Sequence, residues 1–600
     1  MRSIISAAQT HKVLLRRVLV IALLGTMAVT QLCSIRNESQ TVDEAIHIAA
    51  GVSYWQKRDF RMNEEHPPLI KLIAALPVLM LHPHVPYTDV SWSDTQQWDF
   101  GWRFLYASGN NADTILFAAR MPMIALTLLF AFLLYLWGKK IGGDLAGIFT
   151  LAFFAFDPNF IAHGRYVTTD VGFALGFTAT LYCLVRALER WSFRRALAFG
   201  VVFGLTQYTK FSAVFLWPII LFLPFVWHIG LSWTADRWRA GLKSCKRIFL
   251  VALAGFIIFL PVVYFGQVAK GRDDMIVQRL LKQRQEIVDS GLDTQLPITQ
   301  KLVKLTDPET RLGKTIYRIG LDTPIPFWSY WKGLVKIIAH NEVGHLSYLM
   351  GKYSETGWKQ YFPVAFAVKT PAVTFIAFAV ASCFFILRWR RNAIEKQMRP
   401  WSLLFIASLF FFAVAVMGNI TIGLRHIFPV YPAVFLLIGW FFATVLKEYR
   451  NWSVRASVLL AMAFLLFTSI STYPFYTAYA TEFIGGIKNG PRYLLDSNND
   501  WGQGLKYLAD YVHSENPSPV CITYYGIAHA PYYGLEPQAV PTSEEMRNGA
   551  SIECLAIISA TSLYGYRDTY SWLWQYKPDG MLAGTMYLFD FRNGRIPGSR

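Results

Sequence analysis

Acidic side chains are scarce in this chain of 600 residues: 39 Asp and Glu stand against 57 Lys and Arg, and the four charged types together make up only 16%. Soluble domains run at about 25% charged. With 54% apolar residues on top of that shortage, a water-soluble globular fold is excluded. Cysteine is sparse too, six in all, which rules out a disulfide scaffold. Cys183, Cys245 and Cys383 fall in or beside apolar runs and behave there as small hydrophobes. Cys521 and Cys554 lie in the polar C-terminal part, where a disulfide and two buried thiols are both allowed. No period of 20 to 50 residues recurs, so no repeat array is present, and no Asp-x-Asp pair advertises a metal site.

Long apolar runs are what the chain does have. A span needs about 20 apolar residues, and the runs predict eleven: 13–35, 115–138, 142–157, 170–188, 195–209, 211–229, 248–268, 364–387, 401–418, 424–446 and 454–472. The first follows Lys12, Arg16 and Arg17 but lacks a small-x-small cleavage site, so it reads as a retained span rather than a signal peptide. The formal charge of +18 is not gathered on one polar domain, which argues against a nucleic-acid partner. The cations sit in short loops, as at Lys139 and Lys140, Arg194 and Arg195, Arg390 and Arg391, and Lys447 and Arg450. That is the positive-inside pattern, and it places residues 36–114, 269–362 and 473–600 on the opposite, non-cytoplasmic side.

The first outer loop reverses the charge bias, with six Lys or Arg and ten Asp or Glu. Its "EEHPPLIKLIAALPVLML" is too short for a span and suits a helix at the membrane surface. "TVDE" fits a helix start, with Thr41 and Glu44 as a capping box and Asp43 favoured by the helix dipole; the same helix, 42–56, puts His47 on the face of Asp43. The second loop opens with the polar helical run at 273–288. The tail has short Val, Ile, Tyr and Trp runs broken by Gly, Pro and Asn, which predicts a small mixed α/β domain. The triplets at Asn37, Asn419 and Asn451 match a glycosylation acceptor by chance.

Cations recur at the outer ends of later spans: Lys210 in "YTKFS", and Arg425 with His426 in "GLRHIFPVYP". A cation at a bilayer boundary is costly unless it snorkels or meets an anion, and the Arg fork suits a phosphate. "FDPNFIAHGRYVTTD" adds Asp157 and Asp170 on the same side; Asp157 before Pro158 also suits a turn, and two or three such acids could hold a divalent metal.

Taken with "EEHPPLIKL" and "GWKQYFPVAFAVKTP", these stretches resemble, in order from about residue 13 to 446, the GT-C type glycosyltransferases. Those are membrane enzymes that use a lipid-phosphate-linked sugar, and the likeness is to protein O-mannosyltransferases and the aminoarabinose transferase of lipid A. The resemblance implies a polytopic α-helical fold with a small C-terminal extramembrane domain, in the inner or plasma membrane with its site on the periplasmic or extracellular side. It implies a polyprenyl-phosphate sugar donor, a protein, lipid or glycan acceptor, and no required cofactor. Asp43 matches the family's catalytic acid, with Glu44 its neighbour. Lys210, Arg425, His66 and His426 are expected at the donor phosphate, and Glu65, Asp157, Asp170 and Tyr361 at the substrate. Where the lipid A branch has Glu-Lys before the proline pair, this chain has Glu65-His66, which puts one phosphate contact in question because His is only partly charged near neutral pH.

A multi-span transporter or flippase of a lipid-linked or anionic substrate is the alternative from another class, and a polytopic scaffold is a second. Transporters keep ionisable groups near the bilayer midplane. Here they gather at one face.

Overall fold

The computed structural model describes residues 2–229, 234–267, 326–391 and 395–598, with short pieces at 285, 288–289, 307 and 309–315. Helices dominate up to Thr472. Among the described residues, eight helices are long and apolar enough to cross a membrane, and nine if Tyr361–Lys369 and Ala372–Arg388, bent by 113° at a break, count as one span. Two of the eleven predicted spans fall short. At 142–157 the chain forms Asp144–Ala155, ended by the Asp157-Pro158 turn, and at 195–209 it forms Phe193–Gln207. Their 12 and 15 residues do not reach the span length, although both pack within the bundle. The polar run at 273–288 lies almost wholly outside the described residues.

The first loop folds into two helices, Glu44–Lys57 and Leu69–Leu79, packed on each other. Gly51 permits this closeness, since a Cβ there would collide with the carbonyl of Lys71. Leu69–Leu79 buries Ile70, Lys71, Leu72, Ala74, Ala75 and Val78 and exposes Leu76, and Met80 and Leu81 just past its end are exposed as well. The capping box forms only by half: Glu44 accepts the Thr41 amide at 2.9 Å, while the buried Thr41 hydroxyl finds no partner among the described residues.

The described residues also form two small sheets. The hairpin β1 (Ser347–Leu349) and β2 (Lys352–Ser354) turns through Met350 and Gly351 at φ 50 and 81, the left-handed pair a two-residue turn requires. In the tail, β3 (Val520–Thr523), β4 (Leu555–Ser559), β5 (Gly580–Leu582) and β6 (Met586–Asp590) form one sheet in the order β3-β4-β6-β5, parallel between β3 and β4 and antiparallel elsewhere. The helix Leu505–Glu515 precedes it. Cys521 and Cys554 are joined as a disulfide across its β3–β4 edge.

Candidate active site

Four side chains from four parts of the sequence form a line of alternating charge. Asp43 stands at the N-cap of Glu44–Lys57, Asp170 in the first turn of Thr169–Glu189, Lys210 at the end of the turn after Phe193–Gln207, and Arg425 in the 3-10 turn Leu424–Val430. Arg425 donates from Nη1 to Asp43 Oδ2 at 2.9 Å and lies 3.6 Å from Asp170 Oδ2; Lys210 Nζ donates to Asp170 Oδ1 at 2.5 Å. The side chains of Asp170 and Arg425 are 3% and 9% exposed, whereas Asp43 keeps 22% and so remains within reach of an incoming group. Among the described residues, Arg425 Nε and His426 Nε2 are buried without a hydrogen-bond partner. A buried guanidinium N–H left open, as at Arg425 Nε, is where a bound anion is expected.

The loop that carries Asp43 is fixed from below by two buried ion pairs. Glu44 receives Arg120 Nε at 2.8 Å and Nη2 at 2.6 Å, and Glu38 receives Arg165. Burial raises both carboxyls, but Glu44 gains Arg120 and the Thr41 and Val167 amides and ends below its ordinary value. Glu38 has no amide donor among the described residues, and there burial outweighs Arg165 and Arg120. Glu44, named beside Asp43 as catalytic, is bonded to Arg120 and to the Thr41 and Val167 amides, none of which belongs to the reactive line.

The remaining candidates divide. His66 meets His47 edge to face at 5.4 Å. Burial above all, then His47, Lys210 and Lys71, holds it well below the usual histidine range, so the ring carries no charge at neutral pH. Lys71, fully buried, draws the same loop together through Tyr54, both Asn63 oxygens and the His66 carbonyl. Glu65 pairs with Lys336 at 2.8 Å and Glu64 with Lys332 at 2.7 Å, which ties the loop to the helix Trp328–Val343 and leaves neither acid on the reactive line. Tyr361 is buried and accepts from Asn498 at 2.9 Å. Among the described residues no group of three or more His, Cys, Asp or Glu is placed to hold a metal ion.

Asp157 does not join the line either; it caps the short helix Pro158–His163 through the Asn159 and Phe160 amides. Burial pushes its carboxyl up from 3.8 to about 7, only partly offset by those amides. The folded protein thus holds this proton more tightly than the unfolded chain, and stability falls as pH rises across that window. Asp157→Asn keeps a capping acceptor and should raise the thermal midpoint at pH 8 by a few degrees while leaving it unchanged at pH 4. A midpoint equal to wild type at both pH values would contradict the assignment.

Sequence reasoning missed the tail's part in the site. Residues 496–503 run beside Arg425 and Asp43: Trp501 lies face-on to the Arg425 guanidinium at 4.0 Å, its carbonyl accepts the Val42 amide at 3.0 Å, and Tyr525 donates to Asp496 at 3.1 Å. Asp496 is raised by burial first, with Arg425 opposing and Asp43 adding to it, which sets this acid close to the same pair. The stretch "NNDWGQ" carried the signal, a Trp beside an acid in an otherwise polar loop.

Residues 111–265 match the family described as dolichyl-phosphate-mannose-protein mannosyltransferase. Among solved structures, the chain is similar to ArnT from Cupriavidus metallidurans bound to undecaprenyl phosphate, at 13% identity and a TM-score of 0.43, covering 95% of this chain and 97% of that one. It is similar to the archaeal oligosaccharyltransferase AglB from Archaeoglobus fulgidus, in complex with an inhibitory peptide and a dolichol-phosphate, at 12% identity and 0.45 over 96% and 75% of the two chains. To the S. cerevisiae protein O-mannosyltransferase Pmt1-Pmt2 complex bound to the sugar donor the likeness is 18% identity and 0.31, over 41% of this chain and 33% of that one. No curated protein sequence matches the chain.

Proposed function

We propose that this chain, a membrane glycosyltransferase of the GT-C type, transfers a sugar from a polyprenyl-phosphate donor to an acceptor hydroxyl on the non-cytoplasmic side, with inversion at the anomeric carbon. Asp43 takes the proton from the acceptor hydroxyl as that oxygen attacks the anomeric carbon. The bond from that carbon to the phosphate oxygen breaks, and its electron pair leaves with the polyprenyl phosphate. Lys210 and Arg425 balance the charge that develops on the departing phosphate, with the open Arg425 Nε as a further donor.

The observation that carries this reading is the ion pair between Asp43 and Arg425, which sets a base beside a phosphate-suited fork although 382 residues separate them. Asp170 holds both cations in place and keeps them from being unpaired charges in a buried setting. The acceptor class is a protein, a lipid or a glycan.

The test is an assay in proteoliposomes with a labelled polyprenyl-phosphate sugar and envelope extract as acceptor. Transfer of label to the extract supports the enzyme. Movement of the intact donor across the bilayer without transfer overturns it in favour of a transporter. In the same assay Lys210→Ala should lower kcat by about 10²-fold, the scale of removing one donor to a developing anion. An unchanged kcat would remove Lys210 from the phosphate site.

A further inference from the structure

The C-terminal domain could merely roof the membrane bundle, but its contacts do not fall at random over the outer face. Ser497 Oγ donates to the Ile422 carbonyl at 3.1 Å, and Asn498 Oδ1 accepts the Leu424 amide at 2.9 Å, so the segment grips the turn on the side just before Arg425. Gly423 makes room for this, since a Cβ there would strike Ser497 Oγ. On its other side the segment grips the loop before Asp43: the Val42 amide donates to the Trp501 carbonyl, the Ser39 amide to the Gln503 carbonyl at 3.1 Å, and the Ser39 hydroxyl to the Gly502 carbonyl at 2.9 Å.

Between those two grips stands Trp501, 1% exposed, with its indole face against the Arg425 guanidinium and its other neighbours the rings of His163 and Tyr166. A guanidinium is a flat fork with donors along its edges only. With Cζ 4.0 Å from the ring centroid, the indole closes one side of the guanidinium and leaves Nη1 to Asp43 and Asp170 and Nε to an anion. The segment is itself anchored: the buried Lys369 ammonium donates to the carbonyls of Thr477, Tyr479 and Asn498.

We propose that the C-terminal domain is a working part of the transfer site, and that Trp501 is a positioning residue that holds the Arg425 fork edge-on between Asp43 and the departing phosphate. This rests on the glycosyl-transfer reading above. The domain thereby couples the first outer loop to the turn at Arg425, two elements that no direct backbone hydrogen bond joins in this region among the described residues.

The test uses the full-length chain in proteoliposomes and compares Trp501→Leu and Trp501→Phe, alone and in an Arg425→Lys background. A desolvated cation–π contact is worth a factor of about 30 in rate, so Trp501→Leu should lower kcat by about that much with KM for the donor changed less than threefold. Trp501→Phe, which keeps an aromatic face, should recover most of the rate. In the Arg425→Lys background, where no planar fork remains to be oriented, Trp501→Leu should cost less than threefold more. Wild-type kcat in Trp501→Leu overturns the proposal, as does a Phe variant no better than Leu, or an equal loss in both backgrounds, which would mark a general packing role. A wild-type chain that transfers no sugar overturns the functional reading itself, and is told apart from these outcomes because it needs no variant.

Discussion

Asp43→Asn should lower sugar transfer by about 10³-fold or more, the upper part of the range for loss of a positioned general base, while thermal stability and binding of polyprenyl phosphate stay near wild type. The expectation follows from how little else the carboxylate supports. Asp43 heads the helix Glu44–Lys57 without a side-chain capping bond, so Asn costs the helix nothing there. Arg425 keeps Asp170 and the face of Trp501, and does not become a buried charge without a partner. What disappears is the capacity to accept a proton next to the phosphate site. Single-turnover transfer with a saturating donor isolates this step, and turnover within tenfold of wild type would reject Asp43 as the base.

That argument could be started from the sequence but not completed there. The basic short loops between spans gave each remaining loop a side of the membrane, and so placed Asp43, Asp170, Lys210 and Arg425 at one face before any contact was known. Which of them touch is a matter of helix packing, which one chain's pattern does not encode. Lys210 was legible as a boundary cation needing an anion; that the anion is Asp170 was not. Asp157 and Asp170 occur 13 residues apart in one motif, yet one caps a helix and the other pairs two cations, because the Pro158 turn points them apart.

The two short helices read as spans fail for a related reason. Their apolar character reports burial in the bundle, and hydropathy alone cannot tell burial against protein from burial against lipid. The tail was the least legible part, since its role depends on a polar loop whose residues have no period. Arg120 offered a signal that went unused: an arginine in the middle of an apolar run is costly unless an anion meets it, and Glu44 is that anion.

Glu44→Ala should then destabilise the protein by about 3–5 kcal/mol, the range for removing one partner of a buried ion pair, without touching the reactive line directly. Arg120 and Glu44 are 1% and 0% exposed, so the arginine left behind has no water to turn to. It still donates to the Ser39 carbonyl at 2.8 Å and the Glu38 carbonyl at 3.3 Å, which keeps it under the Asp43 loop with only the Glu38 carboxylate, already paired with Arg165, to offset its charge. Replacing both partners, Glu44→Met with Arg120→Met, removes that charge and should recover most of the loss, because the pair's desolvation roughly cancels its attraction. The pH dependence has a definite sign. Glu44 is held below its ordinary 4.5, so its contribution is complete above that value and is lost as pH falls through the folded value. Wild type should therefore lose stability on acidification below about pH 4.5, and the double variant should lose less. Thermal unfolding in detergent at pH 7 and pH 4 measures both effects. A Glu44→Ala protein as stable as wild type, or a double variant as weak as the single, would show that the Asp43 loop is held by something other than this pair.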